Sequence, residues 1–307
     1  MLTRIPRQRS AGFTLIELLV VIAVIGILTA ILVPTILGLF RRTDDMQREI
    51  EISQMTGALE AFNTEYGFYP PDFSNITSAT DMLPYLTKIA PNHQELTLAF
   101  PSGPPSGPTR LDAWWDAVGR HMHDPMATEG PDAVFGHEHS LVFWLSFLRD
   151  DSQFPLTGTG ENKEFFEFEQ GRLHSFSGRT GTVDIEGGGL TYSVSHYEQD
   201  GGGEAPYVYF HNTSYGQTFF PTEGDGECAA VLEPNQDNLG DRTTWPYFSP
   251  DRFQIICAGD DLHFGTAESE TVDSLTYFFI DPLSDRDASD NITDFSAGRI
   301  DTMESLQ

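Results

Sequence analysis

Two His-x-His pairs supply side-chain types that bind transition metals. With the acids beside them, the residues are His121, His123, Asp124, His137, Glu138 and His139. Imidazole nitrogens and carboxylate oxygens are common zinc ligands. Alternate residues point to the same side only in a strand, so a pair needs extended backbone to hold one ion. The alternative is a set of polar loop residues followed by the start of a helix.

Two cysteines, Cys228 and Cys257, could join distant parts of the chain. In an exported domain they could form a disulfide that closes a loop of about 30 residues and contributes about 3 kcal/mol. Two separate thiols are the alternative, because the spacing of two cysteines does not determine whether they pair. The sequence therefore leaves a disulfide and free thiols as competing predictions.

A single carboxylate, Glu17, interrupts an otherwise uncharged apolar segment from Phe13 to Phe40. Nineteen residues of the segment are Leu, Ile, Val or Phe. As a helix it would be about 42 Å long, against about 30 Å for the hydrocarbon core of a bilayer. A secretory signal peptide is the alternative, but this apolar run is about twice the usual length. The segment is therefore predicted to anchor the chain in a membrane, where Glu17 requires a partner.

Charge is distributed unevenly along the chain, whose formal net charge is −29. Arg4, Arg7 and Arg9 precede the apolar segment, so the positive-inside rule predicts a cytoplasmic amino terminus and a periplasmic or extracellular remainder. After Arg48 there are 11 basic and 43 acidic residues. Such an acidic domain excludes nucleic-acid binding through a phosphate-neutralising surface. It suits a solvated surface, a cationic partner or a divalent metal ion.

The string G-F-T-L-I-E, from Gly12 to Glu17, resembles the prepilin signature shared by type IV pilins and the pseudopilins of type II secretion. The resemblance covers residues 10–40. It implies that a membrane prepilin peptidase cleaves after Gly12 and N-methylates Phe13, so that Glu17 becomes the fifth mature residue. Pro34 also stands at a family position. The implied partners are the peptidase, identical or homologous pilin subunits and an inner-membrane assembly platform.

The prepilin resemblance also gives Glu17 a partner. Cleavage would create a positive amine on Phe13, four residues away, and a neighbouring subunit shifted along a filament could present its own. An unpaired buried charge costs about 3–5 kcal/mol, so the pair would set the register between packing helices. The alternative places Glu17 near the membrane interface. Pro34 removes one helical hydrogen bond and is expected to bend or locally open the helix.

The apolar segment is predicted to be the first part of a longer helix. A basic leader is predicted at residues 1–12 and a transmembrane part at residues 13–40. The helix then continues outside the membrane at residues 41–66. An apolar stripe on the continuation would pack on a globular domain; its members are Met46, Ile50, Ile52, Met55, Leu59 and Phe62. The helix should end near Tyr66–Gly67, because Pro70 and Pro71 bar its extension.

Residues 67–307 are predicted to form an exported α+β domain of the pilin-like kind, in which the long helix packs on an antiparallel sheet. Residues 72–180 look like a large insertion, with helices around Leu111–Val118 and Glu138–Arg149. From residue 181 the pattern favours strands separated by glycine-rich turns. The candidate strands are Gly181–Ile185, Leu190–His196, Tyr207–His211, Phe253–Ala258 and Leu275–Ile280.

Residues 253–307 carry a second resemblance, to the closing segment of the G-type major pseudopilins. The strings A-G-D-D-L-H-F-G and S-D-N-I-T-D-F-S carry it. The resemblance implies a structural calcium ion, whose candidate ligands are Asp260, Asp261, Asp290 and Asn291. Calcium takes six to eight oxygen ligands. Leu262 and Asn291 depart from the family pattern, Thr266–Ser289 looks like an insertion, and a solvated acidic loop is the alternative.

The two resemblances imply a structural subunit of a type II secretion pseudopilus or a type IV pilus-like filament, assembled through its N-terminal helix. One alternative is a minor subunit at a filament tip, whose inserted region binds its target. Aromatic residues such as Trp114 and Trp115 could serve there if exposed, and the other interpretation places them in the core. A remote alternative is a membrane-anchored metalloenzyme, supported only by the His pairs. Because the sequence has no H-E-x-x-H motif, Ser-His-Asp order or nucleophile elbow, we expect no enzymatic activity.

Overall fold

The computed structural model describes most of the chain after residue 14. The described residues are 15–118, 136–186, 190–199, 205–219, 226–235, 237–238, 241–259, 261–272, 275–281, 291–296 and 300. The chain divides into two compact units, residues 1–44 and 45–307. The first unit contains the apolar part of the long helix, and the second contains the rest of that helix and all the other described elements.

The first element, α1, is a helix that spans Leu15–Tyr66, so it includes the predicted transmembrane and external parts. It ends where the sequence predicts. Gly67 adopts a φ of 77°, and its N–H donates to the carbonyl of Asn63 at 2.7 Å. Glycine takes this left-handed conformation without strain and thereby caps the last turn. Pro70 and Pro71 follow and prevent the helix from continuing.

The described part of the chain contains nine strands, which pair antiparallel in four small sheets. They are β1 (Leu173–Val183), β2 (Leu190–Tyr197), β3 (Val208–His211), β4 (Thr218–Phe219), β5 (Cys228–Ala229), β6 (Phe253–Cys257), β7 (Glu268–Val272), β8 (Leu275–Phe279) and β9 (Ile292–Thr293). The largest sheet has the order β3–β6–β9, and the others are the pairs β1–β2, β4–β5 and β7–β8. The five predicted strands are present, but they belong to three sheets rather than one. In addition, β1 begins at Leu173 rather than Gly181.

Within the second unit, α1 packs on the three-stranded sheet, which confirms the predicted α+β, pilin-like arrangement. Ile52, Met55 and Leu59 of α1 are buried in one cluster with sheet-side residues, namely Tyr207, Tyr209, Phe253, Ile255, Cys257 and Ile292. The predicted apolar stripe begins later than expected, because Met46 is 60% exposed and Ile50 is 53% exposed. The core of the second unit therefore starts at Ile52.

The described residues between 72 and 180 contain three further α-helices and contribute to a second apolar core. The helices are α2 (Leu83–Ile89), α3 (Arg110–Ala117) and α4 (His137–Ser146). Both predicted helices are therefore present, and the second ends at Ser146 rather than Arg149. Thr109 and Asp112 form a capping box at the start of α3, in which each side chain satisfies a backbone N–H of the other residue. The large side chains of this core include Phe62, Phe73, Trp114, Phe143 and Trp144.

Cys228 and Cys257 are buried and are not joined by a disulfide, which agrees with the separate thiols that the sequence left as the alternative. Alternation along β6 explains why they lie apart. Cys257 shares a cluster with Phe253 and Ile255 on the face of β6 that packs against α1. Cys228 belongs to a different cluster, which includes Ile256 from the opposite face of β6. The sheet therefore separates the two sulfur atoms.

Candidate functional site

The N-terminal part of α1 presents a continuous apolar surface. Leu15–Val33 has a mean hydropathy of 3.0 and is long enough to cross a membrane. None of this window is buried, and Leu15 and Ile16 are 82% and 69% exposed. An apolar surface of this extent is stable in lipid or against other apolar helices. The segment is therefore a candidate membrane anchor and assembly surface.

Glu17 is the candidate assembly residue on that surface. It lies in the first turn of α1 and its side chain is exposed. Pro34 lies within α1, and the backbone is helical on both sides of it. The predicted processing residues, Gly12 and Phe13, lie outside the described residues.

In the second unit, the carboxylate of Asp72 collects hydrogen bonds from three parts of the chain. Asp72 is 2% exposed, and it accepts from the backbone N–H groups of Ser74 and His211, at 3.3 and 2.7 Å. The Ser214 hydroxyl also donates to it, and His137 Nδ1 lies 3.3 Å away. Burial by itself raises the pKa of Asp72, but His137 and the hydroxyl donors outweigh it, so the pKa lies below its ordinary value. Asp72 thus ties the segment after α1 to α4 and β3.

His137 and His139 have different neighbours, which corrects the prediction that this His-x-His pair shares one ion. Both lie in the first turn of α4 rather than in a strand, and residues two apart on a helix do not face each other. His137 contacts Asp72, and its Nδ1 lies 3.1 Å from the carbonyl oxygen of Tyr209. His139 lies against His196 of β2, with ring centroids 5.6 Å apart. The remaining predicted ligands, His121, His123 and Asp124, lie outside the described residues.

A cluster of histidines and glutamates surrounds His196. Glu138, His139 and His196 each offer one ligand atom within 4.8 Å of the other two, and so do His174, His196 and Glu198. Burial, together with the nearby His174, lowers the pKa of His196 to about 4, so this ring is neutral at neutral pH. No local sequence pattern reveals the second set, because its members meet only when β1 pairs with β2. The pairing register of β1 with β2, which places His174 opposite His196, is the information that identifies this set.

Asp261 and Asn291 are the two candidate calcium ligands that the structure describes. Asn291 is 1% exposed, and its Nδ2 donates to the carbonyl of Phe264 at 2.9 Å. The Oδ1 atom of Asn291 is buried and accepts no hydrogen bond from any described residue, so it suits a cation. Asp261 is exposed, and its Oδ1 accepts from the N–H of His263 at 2.8 Å. The other candidates, Asp260 and Asp290, lie outside the described residues.

The N-terminal segment contains the sequence feature that shows which known proteins this chain is related to. Residues 7–33 match the prokaryotic N-terminal methylation motif. The chain has homologues among the type II secretion pseudopilins and the type IV pilins. Type II secretion system core protein G of Escherichia coli K12 is 26% identical over 137 residues, which are 45% of this chain and 92% of that protein.

Two further relatives are similar to this chain over shorter segments. Type II secretion system core protein G of Aeromonas hydrophila is 33% identical over 64 residues, 21% of this chain and 45% of the relative. Type IV major pilin protein PilA of Myxococcus xanthus is 39% identical over 70 residues, 23% of this chain and 30% of the relative. No solved structure matches the chain significantly.

Trp114 and Trp115 do not form the exposed aromatic surface that the tip-binding hypothesis requires. Trp114 is fully buried, and its ring centroid lies 5.5 Å from that of Phe143. Trp115 is partly buried against the same core. Aromatic side chains packed in this way stabilise the fold rather than present a binding surface. That part of the hypothesis is wrong.

Glu51 of α1 holds the helix to the β1–β2 hairpin through polar contacts that the sequence analysis also missed. The Arg172 guanidinium pairs with its carboxylate, with Nη2 and Oε2 2.8 Å apart. The hydroxyls of Tyr207 and Tyr197 donate to the same carboxylate at 2.6 and 3.2 Å. Burial and the charge of Glu51 raise the pKa of Tyr197 to about 12. These partners are far apart in sequence, so no local pattern predicts them.

Proposed function

We propose that the protein is a structural subunit of a type II secretion pseudopilus or a type IV pilus-like filament. The observation that carries this proposal is the methylation motif at residues 7–33, which overlaps an exposed apolar helix at Leu15–Val33. Relatives named as type II secretion core protein G and as a type IV major pilin support it. Because those relatives are structural subunits, we infer that this protein is not an enzyme.

Processing would follow the prepilin pattern, with cleavage after Gly12 by a prepilin peptidase and N-methylation of Phe13. We expect mass spectrometry of the mature protein to find an N-terminal peptide that starts at methylated Phe13. A Gly12→Val variant places a branched side chain at the cleavage site, so it should retain the leader. Recovery of filament protein that still begins at Met1 would contradict the proposal.

The newly made chain would be a single-pass inner-membrane protein. Leu15–Val33 is the segment that would cross the bilayer. Arg4, Arg7 and Arg9 favour a cytoplasmic amino terminus, so the acidic second unit would lie in the periplasm or outside the cell. The proposed partners are the peptidase, an inner-membrane assembly platform and identical or homologous pilin subunits. Nucleic acid is not among them, because the net charge is −29.

Filament assembly would transfer the apolar helix from lipid into a bundle of similar helices. Close packing between helices then replaces contacts with lipid. Glu17 becomes buried in this bundle and requires a positive partner, which the Phe13 amine of a neighbouring subunit would supply. Pro34 lacks an N–H and so removes one hydrogen bond from α1, which lets the helix bend or open as it packs.

We also propose that the C-terminal loop binds one structural calcium ion. The ligands would include Asp260, Asp261, Asp290 and Asn291, all of which offer oxygen atoms. The buried Oδ1 atom of Asn291 supports this proposal, because it is an acceptor for which no described residue supplies a donor. Calcium would add charge compensation to an acidic loop and stabilise the folded state by mass action.

Calcium is expected to raise the melting temperature of the full chain in detergent by about 5–10 °C at a hundredfold excess over Kd. Magnesium is the control, because it prefers a smaller octahedral site. An Asp261→Asn variant keeps the Oδ1 acceptor for His263 but loses a charge, and it should lose most of the calcium shift. An unchanged melting temperature under saturating calcium would contradict the proposed calcium site.

A further inference from the structure

The pairing of β1 with β2 places three ligand-type side chains on one face of the hairpin. His174 and His196 stand directly opposite each other in the register, so their side chains share a face. Glu198 follows His196 by two residues, and alternation along the strand places it on the same face. Glu198 Oε1 lies 2.9 Å from His174 Nδ1 and 3.9 Å from His196 Nε2.

We propose that His174, His196 and Glu198 bind a divalent transition-metal ion of the zinc class. One ligand atom from each residue lies within 4.8 Å of the other two. Ligand atoms about 2.0–2.2 Å from a tetrahedral zinc ion lie about 3.4 Å from one another. Small rotations of the side chains would therefore close the site, and a water molecule or a further side chain would complete the coordination.

The first turn of α4 forms the interior side of this site. Glu138 and His139 are 0% and 1% exposed, and they form with His196 an adjoining set of ligand atoms within 4.8 Å. The Glu138 carboxylate adds negative charge close to the proposed cation, in an environment of low dielectric constant. An ion at this position would join α4 to the β1–β2 hairpin.

The chemistry of the side chains favours zinc over calcium, and the site is accessible from solvent. Two imidazoles and one carboxylate suit zinc, cobalt or copper, whereas calcium takes oxygen ligands. His196 is 1% exposed, but the side chain of His174 is 52% exposed, so an ion can reach the site from solvent past His174. The site lies entirely in the second unit and does not depend on filament assembly. Failure of this proposal would therefore leave the proposed function untouched.

The test measures zinc binding to the full chain in detergent, with excess calcium and magnesium present to occupy carboxylate-only sites. Isothermal titration with Zn²⁺ is expected to show one saturable site, and Co²⁺ should give the strong visible absorption of a four-coordinate ion. His174→Ala should weaken zinc binding by at least about a hundredfold, because loss of a hydrogen bond to a ligand alone costs about 10–100-fold. His93→Ala is the matched control, since it removes a histidine outside the cluster.

A second variant, Glu198→Gln, tests the same site independently, in case His174→Ala perturbs folding. Glu198→Gln preserves the size of the side chain and removes its charge, so the same loss of zinc binding is expected. Melting temperatures in EDTA show whether each variant is folded. Equal zinc affinity in the wild type, His174→Ala and Glu198→Gln would overturn the proposal, as would no saturable binding to the wild type. The proposal would also be overturned if His139→Ala lost zinc binding while His174→Ala retained it.

Discussion

Replacing Glu17 with Val is expected to leave the protein in the membrane but to remove it from filaments. Insertion depends on the apolar segment Leu15–Val33, and the substitution makes that segment more apolar. In the proposed filament, assembly would depend on the pair between Glu17 and the Phe13 amine. Without Glu17 the buried amine is left unpaired, at about 3–5 kcal/mol per subunit. That free energy corresponds to a loss in subunit affinity of about a hundredfold or more.

Membrane fractionation and filament purification measure the two effects of Glu17→Val separately. Leu18→Val is the matched control, because it changes the neighbouring exposed residue and keeps the carboxylate. This control should insert and assemble like the wild type. Glu17→Gln tests the charge with little change in shape, and it should fail to assemble as Glu17→Val does. If Glu17→Val formed filaments at wild-type abundance, the proposal that the protein polymerises through this helix would be wrong.

Asp72→Ala is expected to lower the free energy of unfolding of the second unit by about 3–5 kcal/mol. The substitution leaves the backbone N–H groups of Ser74 and His211 without their buried acceptor. It also removes the carboxylate from the Ser214 hydroxyl and from the ring of His137. Urea unfolding followed by tryptophan fluorescence measures the change.

Asp81→Ala is the matched control for the Asp72 experiment. Asp81 also accepts hydrogen bonds from nearby hydroxyls, those of Thr77 and Ser78, but it lies at the surface. Removing a hydrogen-bonding side chain at the surface costs about 1 kcal/mol. If Asp72→Ala were no more destabilising than Asp81→Ala, the buried carboxylate would not be the structural centre that its contacts indicate.

The stabilisation from Asp72 should also depend on pH in a defined direction. The pKa of Asp72 is lowered in the folded protein, so the folded state binds this proton less readily than the unfolded state. The contribution is therefore fully present above the unfolded pKa, near pH 4, and is lost as the pH falls through the folded pKa. The difference in stability between the wild type and Asp72→Asn should therefore shrink as the pH falls below about 4.

Local patterns predicted the helical elements well and the sheets less well. The end of α1 at Tyr66 follows from Gly67 and the prolines after it, which are neighbours in sequence. The strands were recognisable from alternation, but the pattern of one strand does not contain the identity of its partner. The predicted single sheet is therefore divided, and β8 pairs with β7 rather than joining β3 and β6. Pairing is a property of the folded chain.

The sequence by itself determined the similarity of this protein to pseudopilins and pilins. The methylation motif, the apolar segment and Glu17 lie within one short contiguous stretch. No tertiary contact is needed to recognise such a stretch. Only the tertiary structure decided which polar side chains share a site. Helical geometry separates His137 from His139, and strand pairing brings His174 to His196. Alternation across the sheet keeps the two cysteine sulfurs on different sides, since β6 buries its two faces in different cores.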